Sequence, residues 1–111
     1  MNLKEIIIEL LEEYEKGKYS NIILNEFFRK NKLQSKEKGF ITEIFYGVIR
    51  NLIFLDYQMA KRTKKVKKSY LKQLLRISFY QIAFMESDNK SVVWEAVELS
   101  KKYGDMSNFI N

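Results

Sequence analysis

Across 111 residues the chain carries 20 Lys and Arg against 14 Asp and Glu, has no His, Cys or Pro, and is 46% apolar. That length accommodates one domain with a real core, and the apolar share excludes a disordered chain. Without His or Cys the usual transition-metal ligands, the commonest general acid–base and all disulfides are missing, so no metal partner is expected and the default compartment is the cytoplasm.

The opening stretch, MNLKEIIIELLEEYEKG, is amphipathic and acidic, unlike a signal peptide. Leu3, Ile6, Ile7, Leu10, Leu11 and Tyr14 recur at helical spacing and predict a first helix ending near Gly17, with Glu9, Glu12 and Glu13 at surface positions. Ser20 is the predicted cap of a second helix that turns Ile23, Leu24, Phe27 and Phe28 inward. After the polar RKNKLQ, Ser35 is the predicted cap of a third segment, with Ile41, Ile44, Phe45, Val48, Leu52, Leu55 and Met59 along one side. Periodicity leaves open whether this is one long helix or two, broken near Arg50 and Asn51. Gly47 lies in its interior, where glycine costs about 1 kcal/mol relative to alanine. Close approach by another helix is the predicted compensation.

The segment SYLKQLLRISFYQIAFM (69–85) puts Leu71, Leu74, Leu75, Ser78, Phe79 and Ile82 on one stripe and Tyr70, Ile77 and Phe84 on a second side. A helix apolar over most of its circumference belongs at the centre of a domain. The next helix, over about 90–103, is expected to turn Val93, Ala96, Val97 and Ser100 inward and to pair Glu98 with Lys102 outside. Gly104 suits its cap and Asp105 the start of another helix. The final SNFIN places two large apolar residues in a first helical turn too short to stand alone. The expectation is a fragment of a longer chain; a short terminus packed on the core is the alternative. No apolar run nears the roughly 20 residues that span a bilayer, so no membrane partner is expected. The expected fold class is all-α, a compact bundle around one central buried helix, with residues 1–111 as a single domain.

The excess of positive charge is local. KRTKKVKK (61–68) holds six cations and no acid, and the remainder balances at 14 of each. Lys61, Arg62, Lys64, Lys65, Lys67 and Lys68 are therefore candidate contacts for a polyanion, nucleic acid being the commonest. A solvated loop between helices is the bland alternative. No catalytic residue is nominated, because the acids sit at surface spacing and the glycines at 17, 39, 47 and 104 form no phosphate cradle.

FITEIFYGVIRNLIFLD (40–56) is similar to the segment with a Tyr-Gly-Val-hydrophobic-Arg core in the N-terminal, NusB-like domain of ribosomal RNA small-subunit methyltransferase B. LLRISFYQIAFM and VVWEAVELSKKYGDMSNFIN (74–85 and 92–111) resemble that domain's second half. The antitermination factor NusB shares the latter pattern, including Glu-Ala-Val-Glu-Leu and a Phe-hydrophobic-Asn near the end. The likeness is good over 35–111 and extends to the first two helices only by pattern. Tyr46 to Arg50, and an N-terminus without an arginine-rich run, resemble the methyltransferase domain more than the free factor.

The resemblance implies two three-helix bundles meeting around a long central helix, ribosomal RNA as partner, and a catalytic domain in cis. That other domain would bind S-adenosylmethionine and methylate a cytosine. This chain is not expected to be an enzyme, since attack at cytosine C6 requires a thiolate and it has no cysteine. It offers no cofactor site either. Rival expectations are a free NusB-type antitermination factor and a purely structural module docked on the catalytic domain. Arg50 joins the candidate RNA contacts, with a packing pair to Glu43 or Asp56 as its alternative. Arg76, on a buried helix, is assigned to structure, Tyr46 and Tyr80 to the core, and Asn108 to tying the last helix to its neighbours. Trp94 falls beside the inward stripe. Lysine dominates the basic run, which implies positioning on the RNA backbone and not base readout.

Overall fold

The computed structural model describes residues 2–62, 66 and 68–103, and these form helices without a strand. In chain order they are α1 (Leu3–Glu15), α2 (Ser20–Lys30), α3 (Ser35–Arg50), α4 (Leu52–Arg62), α5 (Ser69–Phe84) and α6 (Asn89–Tyr103). The expected features at 104–111, Asn108 among them, lie outside the described residues, as do Thr63, Lys64, Lys65 and Lys67.

Local chemistry sets the helix ends. The Asn2 side chain accepts from the backbone N–H groups of Lys4 (2.9 Å) and Glu5 (3.2 Å), satisfying two donors that the first turn of α1 leaves open. Gly17 follows the last turn at φ 106°, the left-handed conformation that glycine adopts without a Cβ clash. Ser20 and Ser35 are not caps. Each already lies in its helix, and the capping positions are Tyr19 and Gln34. At α3 the reason is Glu37, whose Oε1 accepts from the Gln34 backbone N–H at 3.0 Å and draws the start back by one residue. Asp88 caps α6, accepting from the Ser91 backbone N–H (3.0 Å) and hydroxyl (2.7 Å).

The question left open by periodicity resolves as two helices. Asn51 interrupts the run with φ −117° and ψ 22°, and its Nδ2 donates to the Gly47 carbonyl at 2.8 Å. The inward face still runs through both helices: Ile41, Ile44, Phe45, Val48, Leu55 and Met59 are buried.

α5 is the centre, as its all-round apolar surface implies. It packs against α1, α3, α4 and α6, whereas α1, α2 and α3 pack on one another and α4 reaches α6 only through α5. Its buried residues include polar ones, Gln73, Arg76, Ser78 and Gln81. Ser78 answers its own burial by donating to the Leu74 carbonyl at 2.9 Å.

α6 departs from expectation by part of a turn. Val92, Ala96, Leu99 and Ser100 face inward, while Val93 and Trp94 are exposed and Val97 is half-buried. Two ion pairs to α1 account for this setting: Lys4 with Glu95, and Lys102 with Glu5 at 2.9 Å. Both hold α6 by residues off its apolar stripe. Glu98 pairs with Lys101, at 3.0 Å, where Lys102 was the expected partner.

Gly47 is where α3 meets α5. A Cβ there would collide with the hydroxyl-bearing edge of the Tyr80 ring, which is 7% exposed and stacked on Phe84 at 5.2 Å. The predicted close approach is present, and a ring fills the space. Gly47→Ala is expected to lower stability by about 1–3 kcal/mol, the usual cost of overpacking. Thermal unfolding checks this, and the same substitution in a Tyr80→Ala background should cost far less.

Candidate nucleic-acid interface

α4 reaches the surface from a fixed base. Its inward residues are Leu55 and Met59, and Asp56, beside Leu55, points at α5. There Arg76 meets it with two parallel bonds, Nε to Oδ1 and Nη2 to Oδ2, each 2.8 Å. The same guanidinium donates to Glu15 at the end of α1 and to Gln73 Oε1 at 3.2 Å. α1 and α4 do not pack on one another, so this one side chain spans the gap between them. Burial works against the charge on Arg76, but the hydrogen bonds and charges of Asp56 and Glu15 prevail and raise its pKa. Burial likewise pushes the Glu15 carboxyl up, and Arg76, with Gln73 and Lys72, more than offsets that and holds it below the usual carboxylate range.

The expected contacts can now be placed. Lys61 and Arg62 form the exposed last turn of α4, and Lys68 is the exposed residue that precedes α5. Lys61 lays its Nζ 4.4 Å from the ring centroid of Tyr57, and Arg62 turns back on Gln58, donating to its carbonyl at 3.4 Å and to its side chain. Lys64, Lys65 and Lys67 lie outside the described residues, and Val66 between them packs against the core. Arg50 is exposed, and among the described residues it makes no ion pair. The packing alternative for it fails at Asp56, because Arg76 has taken that carboxylate. Arg50 instead lies near Tyr80: burial pushes that phenol's pKa up, Glu43 adds to the effect, and Arg50 opposes it.

The structure also exposes residues that periodicity assigned no role. Ile53 is 89% exposed and Tyr57 58%, and with Lys61 they stand four apart on the side of α4 away from Leu55 and Met59. Beside them Phe54 meets Phe84 edge to face at 5.6 Å, and both are partly exposed. A legible sign existed: Ile53 and Tyr57 are apolar residues half a turn off the inward stripe. Trp94, Val93 and Val97 form a separate apolar surface on α6, with Lys90 at its edge.

Comparison with known proteins places this chain in a family. The model described as "NusB family" matches residues 1–111. A probable ribosomal RNA small subunit methyltransferase B of Bacillus subtilis (strain 168) is 33% identical over 116 aligned residues, which cover 99% of this chain and 26% of that protein. The transcription antitermination protein NusB of Helicobacter hepaticus is 32% identical over 97% of this chain and 74% of its own length. That of Sulfurovum sp. is 31% identical over 95% and 86%. The chain thus spans about a quarter of the methyltransferase and most of the antitermination proteins.

The Arg76 fork supports α4, so removing it should be felt in stability. Arg76→Met is expected to cost about 2–3 kcal/mol. That is short of the ~3–5 kcal/mol of a fully buried broken pair, because the orphaned carboxylates keep access to water. Arg76→Lys should recover only part, having no planar fork. Because the folded Glu15 pKa is depressed, its contribution is complete above its ordinary value of 4.5 and is lost as pH falls through the lower folded value. The gap between wild type and Arg76→Met, measured by urea unfolding, should therefore shrink below about pH 4.

Proposed function

Because the chain belongs to the NusB family, we propose that it is an RNA-binding domain whose contact surface is the basic end of α4 and the run leading into α5. The observation that carries this reading is the exposure of Lys61, Arg62 and Lys68 at one junction, with Arg50 left without a carboxylate partner among the described residues. Lys64, Lys65 and Lys67 fall in the same run. Such cations displace condensed counterions from a phosphate chain, which gives affinity without sequence readout.

Within that reading, the domain serves a ribosomal RNA cytosine-5 methyltransferase, holding ribosomal RNA for a catalytic domain in cis. Tyr46 to Arg50 and the Bacillus subtilis relative support this. S-adenosylmethionine would belong to the catalytic domain; this chain's four glycines are scattered and offer no loop to hold it. A second reading, a free antitermination factor acting on nascent RNA, is favoured by the coverage of the Helicobacter protein. The gene decides between them: a reading frame that runs on past Asn111 into a methyltransferase domain supports the first, and an early stop supports the second.

Affinity for a single-stranded ribosomal RNA fragment is expected to fall with salt at a log–log slope of about −3, as for about four neutralised phosphates. Reversing Lys64, Lys65, Lys67 and Lys68 to Glu should weaken binding and flatten that slope. A slope near zero in the unaltered chain, by fluorescence anisotropy from low to moderate salt, would remove the electrostatic mechanism.

A further inference from the structure

The outer face of α4 has a composition that the phosphate contacts do not account for. Lone exposed apolar residues are ordinary, but here Ile53, Phe54, Tyr57 and Phe84 gather at one place. Cations bracket them, Arg50 where α3 ends and Lys61 in the last turn of α4. Asp56 is the acid of α4, and its carboxylate is held by Arg76. A polyanion approaching this face therefore meets cations at both ends, rings between them, and a carboxylate already paired with a cation.

Rings flanked by cations are the elements of a single-strand platform, in which the charges follow the backbone and the aromatic faces take the bases. We propose that the outer face of α4 is a stacking platform for unpaired RNA bases, with Tyr57 as the receiving ring and Arg50 and Lys61 as the phosphate contacts on either side. This rests on the RNA-binding reading above and adds the form of RNA and the residues that choose it. Lys61 supplies the means of entry. Its ammonium now rests on the Tyr57 ring, a surface cation–π contact weaker than base–aromatic stacking. An arriving base takes the ring, and the displaced ammonium moves to that nucleotide's phosphate. A duplex keeps its bases stacked internally and offers nothing to the ring, so the face selects single strands.

The test uses the 111-residue chain, a single-stranded oligoribonucleotide carrying 2-aminopurine, and its duplex. Binding of the single strand should quench 2-aminopurine and exceed duplex binding. Tyr57→Ala, its fold checked by circular dichroism, should lose the quenching and about tenfold in single-strand affinity, with the salt slope unchanged. Tyr57→Phe, which keeps the ring, should retain both. If the unaltered chain binds RNA with the expected salt slope while Tyr57→Ala binds and quenches equally well, the platform is refuted and the RNA-binding reading stands. If Tyr57→Ala instead weakens only docking of a methyltransferase catalytic domain, the face is a protein contact and the platform is again refuted. Failure of the unaltered chain to bind RNA in dilute buffer overturns both.

Discussion

Placing α5 at the centre of the bundle obliges it to carry a cation inside, and the way Arg76 is satisfied organises its surroundings. A buried guanidinium is tolerable only with its charge and donors met. Asp56 meets it from α4 with two parallel bonds, and Glu15 meets it from α1. Those two helices do not otherwise pack together. The cost of desolvating one arginine thus becomes a constraint on where two surface helices sit. On the α3 side, Tyr80 fills the space that the missing Cβ of Gly47 leaves, so α3 and α4 are each registered against α5 by one specific contact. Asn51 closes the joint between them with its bond to the Gly47 carbonyl.

What could be read from the residues follows this division. Helix existence, the central place of α5 and the contact at Gly47 were legible, since each rests on periodicity or on the volume of a side chain. The structural role of Arg76 followed from its place on a buried helix, but its partners did not, since Glu15 lies 61 positions away and Asp56 20. The caps at Ser20 and Ser35 were misplaced by one residue, a matter of local competition with Tyr19 and Glu37. α6 was misjudged for a tertiary reason. Ala96 and Ser100 are inward as expected, but Val93 and Val97 make as plausible a flank to them as Val92 and Leu99, and the pairs from Lys4 and Lys102 to their partners favour the second. For the candidate interface, the cation cluster is visible as charge, whereas Ile53 and Tyr57 show only in their place off the inward stripe, a weak sign because apolar residues on a helix are read first as core.

Charge alone would not single out α4. Arg29, Lys30, Lys32, Lys36 and Lys38 crowd the connection between α2 and α3 with Glu37 as the acid among them. That stretch holds no aromatic residue between Arg29 and Lys38, and Lys38 lies 5.8 Å from Phe28, a ring packed against the core. It can attract a polyanion but has no free ring on which to order one. Along α4 the cations come with Tyr57 and Phe54 exposed, and Asp56, itself exposed, is paired with Arg76. The buried fork therefore acts twice. It holds α4 against the bundle, and it keeps the carboxylate of that helix from opposing an anion at its outer face. A surface that attracts and a surface that orders coincide there because a buried arginine pairs the acid.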